Sequence, residues 1–290
     1  MNKGRIIKLV GGLYTVECPD GQFECKARGI FRKDGESPVV GDIVDIEIHT
    51  ENEGVISSIY PRKNKLIRPP LSNLDVLFIV ISTCEPRPNY YVIDRLIAIA
   101  EYKKIEPIIV ITKTDLSEYK ELQETYKKAG FTVFCVNNND VIDKNIKDFI
   151  NGKVCAFTGN TGVGKSSLLN NIAPELLLRT GEISRKLGRG RHTTRHVQLY
   201  KVAGGYVADT PGFSALETGQ YENIKKDEIM YCFREFETYL NGCKFSDCSH
   251  TKEKGCVIID AKNNGDISKS RFESYCKMYD EAKQIKEWEL

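Results

Sequence analysis

The chain has 290 residues, of which 41% are hydrophobic and 28% charged, with a formal net charge of +2. That length holds about two or three domains with real cores, and the composition is that of a soluble globular protein. The near-neutral charge singles out no partner, so any basic surface must be local; no apolar run approaches the ~20 residues that span a bilayer.

The first residues, Met1-Asn2-Lys3-Gly4-Arg5-Ile6-Ile7, carry no signal-peptide apolar core. A cytosolic protein with no membrane contact is therefore expected. Its ten Cys read as thiols or metal ligands rather than disulfides.

Residues 1–67 read as all-β. Short apolar stretches at 5–10, 13–18, 39–48 and 54–60 are broken by Gly11-Gly12, Pro19-Asp20-Gly21 and Lys33-Asp34-Gly35. Alternation is clear in Ile43-Val44-Asp45-Ile46-Glu47-Ile48, as a half-buried strand requires. About five short strands in this length fit a small barrel of the OB type, a fold that often binds nucleic acid. The balance of acidic and basic residues leaves that contact open. A basic, Pro-flanked stretch, Pro61 to Pro70, reads as a linker.

From Leu74 the pattern becomes alternating strands and helices. Near-continuous apolar runs at 76–81, 107–112 and 131–136 alternate with helical patterns at 90–103, 118–129 and 144–150. Such runs imply a parallel sheet covered on both faces. The second run ends in Thr112-Lys113-Thr114-Asp115. This has the form [NT]-K-x-D, in which a carboxylate (Asp115) accepts from N1–H and the exocyclic amine of guanine while the lysine stem packs along the nucleotide. Thr112 stands where Asn is commoner. A base-backing segment would fall near Val136-Asn137-Asn138, without the usual Ser-Ala.

A further buried strand leads into Gly159-Asn160-Thr161-Gly162-Val163-Gly164-Lys165-Ser166, which fits the phosphate loop G-x-x-x-x-G-K-[ST] and is followed by Ser167, a further candidate nucleotide contact. Glycines let backbone N–H groups wrap a di- or triphosphate, and the following helix N-terminus adds a positive dipole end. Lys165 would reach the β- and γ-phosphates, and the Ser166 hydroxyl would ligate Mg²⁺.

Residues 179–201 carry seven Lys/Arg against one acid, in the place of switch I. Gly-spaced arginines there suit phosphate contacts to RNA. Thr193 or Thr194 would close over Mg²⁺ and the γ-phosphate. A hairpin about Ala203-Gly204-Gly205 leads to Asp209-Thr210-Pro211-Gly212, the D-x-x-G form of switch II. Asp209 would hold Mg²⁺ and the Gly212 N–H would sense the γ-phosphate. Phe213 follows, where some GTPases place a water-orienting Gln. An apolar ring cannot do this, so His192 in switch I is the candidate to orient or accept from the attacking water.

A helix is expected over 225–240. Cys243, Cys248, His250 and Cys256 then form a C-x4-C-x-H-x5-C cluster, whose three thiolates and one imidazole supply a closed, structural Zn²⁺ site. The remaining Cys read as core thiols. A final helix over 268–288 carries Phe272, Tyr275, Cys276 and Tyr279 on one stripe, expected to pack on its own domain.

The order of motifs is unusual: the guanine motif precedes the phosphate loop. With Arg191-His192-Thr193-Thr194 in switch I and the cysteine cluster, the chain resembles the circularly permuted, ribosome small-subunit-dependent GTPase family (RsgA, also called YjeQ or YloQ). The resemblance spans essentially the whole chain. It implies an N-terminal all-β OB-fold barrel (1–67), a circularly permuted α/β P-loop GTPase domain (68–217) and a C-terminal, mostly helical zinc-binding domain (218–290). It further implies binding of GTP/GDP with Mg²⁺, contact with the 30S subunit and its 16S rRNA late in maturation, and GTP hydrolysis stimulated by the subunit; apart from the resemblance, a cytoplasmic monomer is expected. Two other readings are an RNA-binding scaffold whose nucleotide is structural, and an ATP-dependent small-molecule kinase; the latter sits badly with Thr112–Asp115.

Overall fold

The structure is a computed structural model, which describes residues 2–33, 35–67, 69–137, 144–174, 197–209 and 223–285. The chain divides into two compact units. One comprises 1–76, 141–157 and 166–215; the other comprises 77–140, 158–165 and 216–290.

The first unit begins with a five-stranded barrel: β1 (Asn2–Val10), β2 (Leu13–Cys18), β3 (Gly21–Ala27), β4 (Ile43–Ile48) and β5 (Glu53–Ile59), with a one-turn helix α1 (Ile30–Lys33) after β3. β1 pairs antiparallel with both β2 and β4, β3 runs parallel to β5, and β4 pairs antiparallel with β5, so the sheet closes on itself. Alternation decides the register: Tyr14, Val16 and Cys18 on β2, Phe23 and Cys25 on β3, and Val44 and Ile46 on β4 are buried, while their neighbours face outward. A one-residue slip would expose the whole set. This is the OB-type barrel expected for the N-terminal region.

The stretch read as a linker is folded. Two short strands, β6 (Lys65–Leu66) and β7 (Leu71–Ser72), pair antiparallel. Arg62 is held by the fully buried Asp42, at 2.7 and 2.8 Å, and Asp42 also accepts from the Ser72 hydroxyl at 2.6 Å. Two of the basic residues that suggested a linker, Arg62 and Lys63, are instead ion-pair partners; Lys63 lies 2.9 Å from Asp75.

The same unit holds β11 (Val154–Thr158, through Phe157), β12 (Gln198–Val202) and β13 (Gly205–Asp209). β12 and β13 form the expected hairpin, β13 lies parallel to β11, and β1 of the barrel pairs with β12 at Lys8 and Gln198. The Tyr206 hydroxyl donates to Glu17 at 2.5 Å, and Lys201 is 3.1 Å from the same carboxylate.

The second unit contains three adjacent strands in the order β10 (Thr132–Cys135), β9 (Glu106–Thr112), β8 (Val76–Ser82, from Leu77), with β9 and β10 parallel. β8 is buried along its whole length, the signature of a strand covered on both faces. Helix α2 (Tyr90–Tyr102) lies where a helical pattern was expected and buries Ile93, Leu96, Ile97 and Ala100 together with Asp94, Ala98 and Ile99. α3 spans Lys120–Lys128, and α4 (Lys144–Ile150) precedes β11 in the chain.

The helix expected over 225–240 is not one α-helix. Two 3₁₀ turns, Ile229–Cys232 and Arg234–Tyr239, flank Phe233, which is extended at φ −117° and ψ 97°. Apolar residues at 229, 232, 233 and 236 suit a period of 3.0 as well as 3.6, so spacing could not separate the two. The break lets Phe233 and Phe236 both meet Tyr275, with ring centroids 5.4 and 4.9 Å away.

Two α-helices follow, α6 (Val257–Asn263) and α7 (Lys269–Gln284); α6 was not anticipated. Phe272 and Tyr275 of the expected stripe share one core with Phe233, Phe236, Ile258 and with Ala98 and Ile99 of α2. The stripe therefore packs on α2 as well as on its own module. Of the scattered Cys, Cys18, Cys25, Cys155 and Cys232 are buried thiols; Cys84, Cys135 and Cys276 are half-buried.

Candidate functional site

β11 ends at Thr158 and α5 (Lys165–Ile172) begins directly after Gly164, so Gly159–Gly164 is a strand-to-helix loop, as the motif requires. Gly159 has φ +137°, and a β-carbon there would stand 2.1 Å from the carbonyl oxygen of Val80. Only glycine permits that approach of loop to strand. Val163 is buried, while Thr161 and Gly162 are exposed. The Lys165 ammonium donates to the carbonyls of Gly159 and Asn160, which hold it over its own loop. Ser166 and Ser167 are exposed in the first turn of α5, and Leu168 and Ile172 anchor that helix.

The guanine-type motif lies against this loop. Thr112 closes β9, and its hydroxyl is placed to donate to Val163 O at 2.5 Å or to Ile81 O at 3.1 Å. Gly164 also faces it: a β-carbon on Gly164 would lie 3.6 Å from the Thr112 Oγ1. Lys113 takes a left-handed φ of +57°. Its ammonium donates to Glu85 O at 2.6 Å and its carbonyl accepts from the Thr83 hydroxyl at 2.7 Å. Asp115 is exposed in the turn closed by Leu116 N–H on Lys113 O at 3.0 Å. The Thr114 N–H approaches Val136 O at 3.5 Å, bringing the end of β10 and half-buried Asn137 beside the motif. Sequence reasoning missed Thr83 and Glu85. No motif marks them, and only their backbone and hydroxyl partners reveal them.

In the other unit, β13 runs parallel to β11 with Val154 opposite Tyr206 and Ala156 opposite Ala208. Asp209, the last residue of β13, therefore lies at the carboxyl end shared by both strands. That is the edge where open α/β sheets bind ligands. His192, Thr193, Thr194, Gly212 and Asn138 lie outside the described residues.

A second group is a metal-binding cluster. The ligand atoms of Cys243, Cys248, His250 and Cys256 lie within 4.8 Å of one another. His250 Nδ1 is 3.4 Å from Cys243 Sγ and 3.5 Å from Cys256 Sγ, and those two sulfurs are 3.8 Å apart. A tetrahedral centre with metal–sulfur bonds of about 2.3 Å and a metal–nitrogen bond of about 2.0 Å has edges of about 3.8 and 3.5 Å. Burial pushes the Cys248 thiol up to about 12, with the neighbouring thiols adding to it, and burial lowers His250. The residues fit a closed thiolate–imidazole centre.

The module is tied to α2 by buried charge. Fully buried Arg271 is 2.9 Å from Asp94 and 2.7 Å from Glu235, and Arg234 is 2.6 Å from Glu101 and 2.8 Å from Glu106. Burial works against the Arg271 charge, but Glu235 and Asp94 outweigh it and hold the guanidinium more firmly protonated than usual.

Comparison with known proteins accords with this geometry. Residues 59–219 match the RsgA GTPase family and residues 3–56 the RsgA N-terminal domain. The chain is 41% identical to the small ribosomal subunit biogenesis GTPase RsgA of Staphylococcus carnosus, covering 99% of both chains. It is 42% identical to small ribosomal subunit biogenesis GTPase RsgA 2 of Oceanobacillus iheyensis, again covering 99% of each. Among solved structures it is similar to YloQ, a circularly permuted GTPase (TM-score 0.82, 34% identity, 99% of this chain and 96% of that one). It is also similar to YjeQ from Thermotoga maritima (TM-score 0.82, 32% identity, 98% and 99%). With guanine motif and phosphate loop joined in permuted order, and these matches running through the whole chain, the protein belongs to the RsgA GTPase family of circularly permuted GTPases.

Proposed function

We propose that the protein is a GTP hydrolase that binds the small (30S) ribosomal subunit and assists its late maturation, with hydrolysis stimulated by the subunit. The observation that carries this reading is the junction of Thr112 with Val163, which sets a guanine-type motif on a phosphate loop. The names of full-length relatives, small ribosomal subunit biogenesis GTPases, supply the partner.

In this reading the loop N–H groups of Gly159–Ser167 bind the phosphates, and Lys165 exchanges its carbonyl partners for the β- and γ-phosphate oxygens. Lys113 and Asp115 hold the guanine, with Thr112 and Thr114 fixing their loop. Ser166, Asp209 and one of Thr193 and Thr194 are the residues that would hold Mg²⁺, which when bound would neutralise charge developing in the reaction. Gly212 senses the γ-phosphate, and His192 orients the attacking water. The Cys₃His group takes one structural Zn²⁺. We read the chain as three domains, 1–67, 68–217 and 218–290. The barrel, the basic segment 179–201 and the zinc domain would meet 16S rRNA, and the protein would work as a cytoplasmic monomer.

The test is GTP turnover with and without purified small subunits, with large subunits as the control. Stimulation by small subunits alone is expected. GTP binding without stimulation would overturn the proposal in favour of an RNA-binding scaffold.

A further inference from the structure

The five residues between His250 and Cys256 contain a carboxylate with an unusual number of donors. One Glu253 oxygen accepts from the Ser249 N–H at 3.1 Å and from the Ser249 hydroxyl. The other accepts from the N–H groups of Thr251 and Lys252, both at 3.0 Å. Ser249 and Thr251 are the two neighbours of the ligand His250 in the chain, and Ser249 also follows Cys248. The Ser249 hydroxyl lies 2.9 Å from that of Thr251. The buried Tyr275 hydroxyl donates to Ser249 O at 2.7 Å. His250 itself is only 3% exposed and holds a left-handed φ of +57°, a conformation that side-chain-bearing residues rarely adopt.

We propose that Glu253 is a positioning residue for the metal centre, holding the Ser249–Lys252 backbone so that the His250 Nδ1 faces the three cysteine sulfurs before metal arrives. This rests on the reading that the Cys₃His group takes zinc. Four donors converge on one carboxylate, two per oxygen. Burial works against the carboxylate, but the hydrogen bonds from Ser249 and Lys252 overcome it and hold Glu253 at about 2. It is therefore an acceptor on both oxygens throughout the neutral range. Glutamine cannot replace it: whichever way its amide turns, an N–H₂ group meets either the Ser249 pair or the Thr251 and Lys252 N–H groups. The outer-shell partners of metal ligands typically account for 10–100-fold in metal affinity.

The experiment uses the full chain, as wild type, Glu253→Gln and Tyr275→Phe. Zn²⁺ affinity is measured by competition with a chromophoric chelator, and ligand geometry by the visible spectrum of the Co²⁺-loaded protein. Glu253→Gln is expected to lower Zn²⁺ affinity about 10–100-fold and to speed its release, with Tyr275→Phe showing a smaller loss of the same kind. A purely structural residue would lower the unfolding midpoint of apo and loaded protein alike and leave affinity unchanged. Unchanged affinity in Glu253→Gln therefore overturns the proposal, as does an affinity loss confined to Tyr275→Phe. A wild-type chain that takes up neither Zn²⁺ nor Co²⁺ overturns the zinc reading, and with it this one.

Discussion

The Thr112 hydroxyl lies 2.5 Å from the carbonyl oxygen of Val163, so one side chain joins the guanine-type motif to the phosphate loop. The two residues are 51 positions apart, and the motif comes first in the chain. The contact holds together two segments whose order is reversed from that of ordinary GTPases.

Thr112→Val keeps the shape and removes the donor. Thr112 is 6% exposed, so the bereft carbonyls gain little water, and a cost of about 1–2 kcal/mol is expected. Because the loop is then less well held, GDP and GTP affinity should both fall, by about 5–30-fold. Titration with a fluorescent guanine nucleotide checks this; wild-type affinity would remove Thr112 from the site.

Asp115→Asn loses the acceptor pair for guanine. GTP affinity should drop about 10–100-fold, as for loss of a hydrogen bond to a charged group, while xanthosine triphosphate gains. Competition between the two nucleotides decides it. An unchanged preference for GTP would place base recognition elsewhere.

His192→Ala should leave GTP affinity near wild type. Turnover in the presence of small subunits should fall by about 10²–10⁴-fold, the usual share of a positioned acid–base group. Full stimulation in the variant would assign the water to another group.

Arg271→Met leaves Asp94 and Glu235 buried without their cation. Removing one partner of a buried pair typically costs about 3–5 kcal/mol. A denaturant titration should show that loss, with metal content unchanged. A midpoint equal to that of the wild type would mean that α2 and α7 are held by apolar packing alone.

Chelation of the metal should destabilise residues 223–285 selectively, since metal-binding energy is folding energy in such modules. Hydrogen exchange before and after chelation would resolve the segments: Ser249–Cys256 should lose protection first, and the barrel amides should be unaffected. Metal binding should also strengthen as pH rises, because the thiols must lose protons to ligate.

Much of this was legible in the linear order of residues. The phosphate loop, Thr112–Asp115 and the cysteine cluster are local patterns whose chemistry needs fixed spacing, so they survive without coordinates. The buried strands β8, β9 and β11 announced themselves by continuous apolar runs, and α2 by its stripe of Ile93, Leu96, Ile97 and Ala100. Other features depended on partners distant in sequence. Phe233 and Phe236 read as one helix until Tyr275, some 40 residues on, shows which way each ring must point. Arg62 reads as a linker charge until Asp42 is found beside it.

By itself the sequence therefore determined the candidate chemistry: a phosphate-loop pattern at Gly159–Ser166, a guanine-type pattern at Thr112–Asp115, a Cys₃His set able to take a metal, and the permuted order in which they come. Only the tertiary structure decided the connections among them. Thr112 with Val163, Arg271 with Asp94 and Glu253 with the amides around His250 are hydrogen bonds and ion pairs whose worth comes from burial and direction. Burial and direction belong to the folded packing, and neither is encoded in the spacing of residues along the chain.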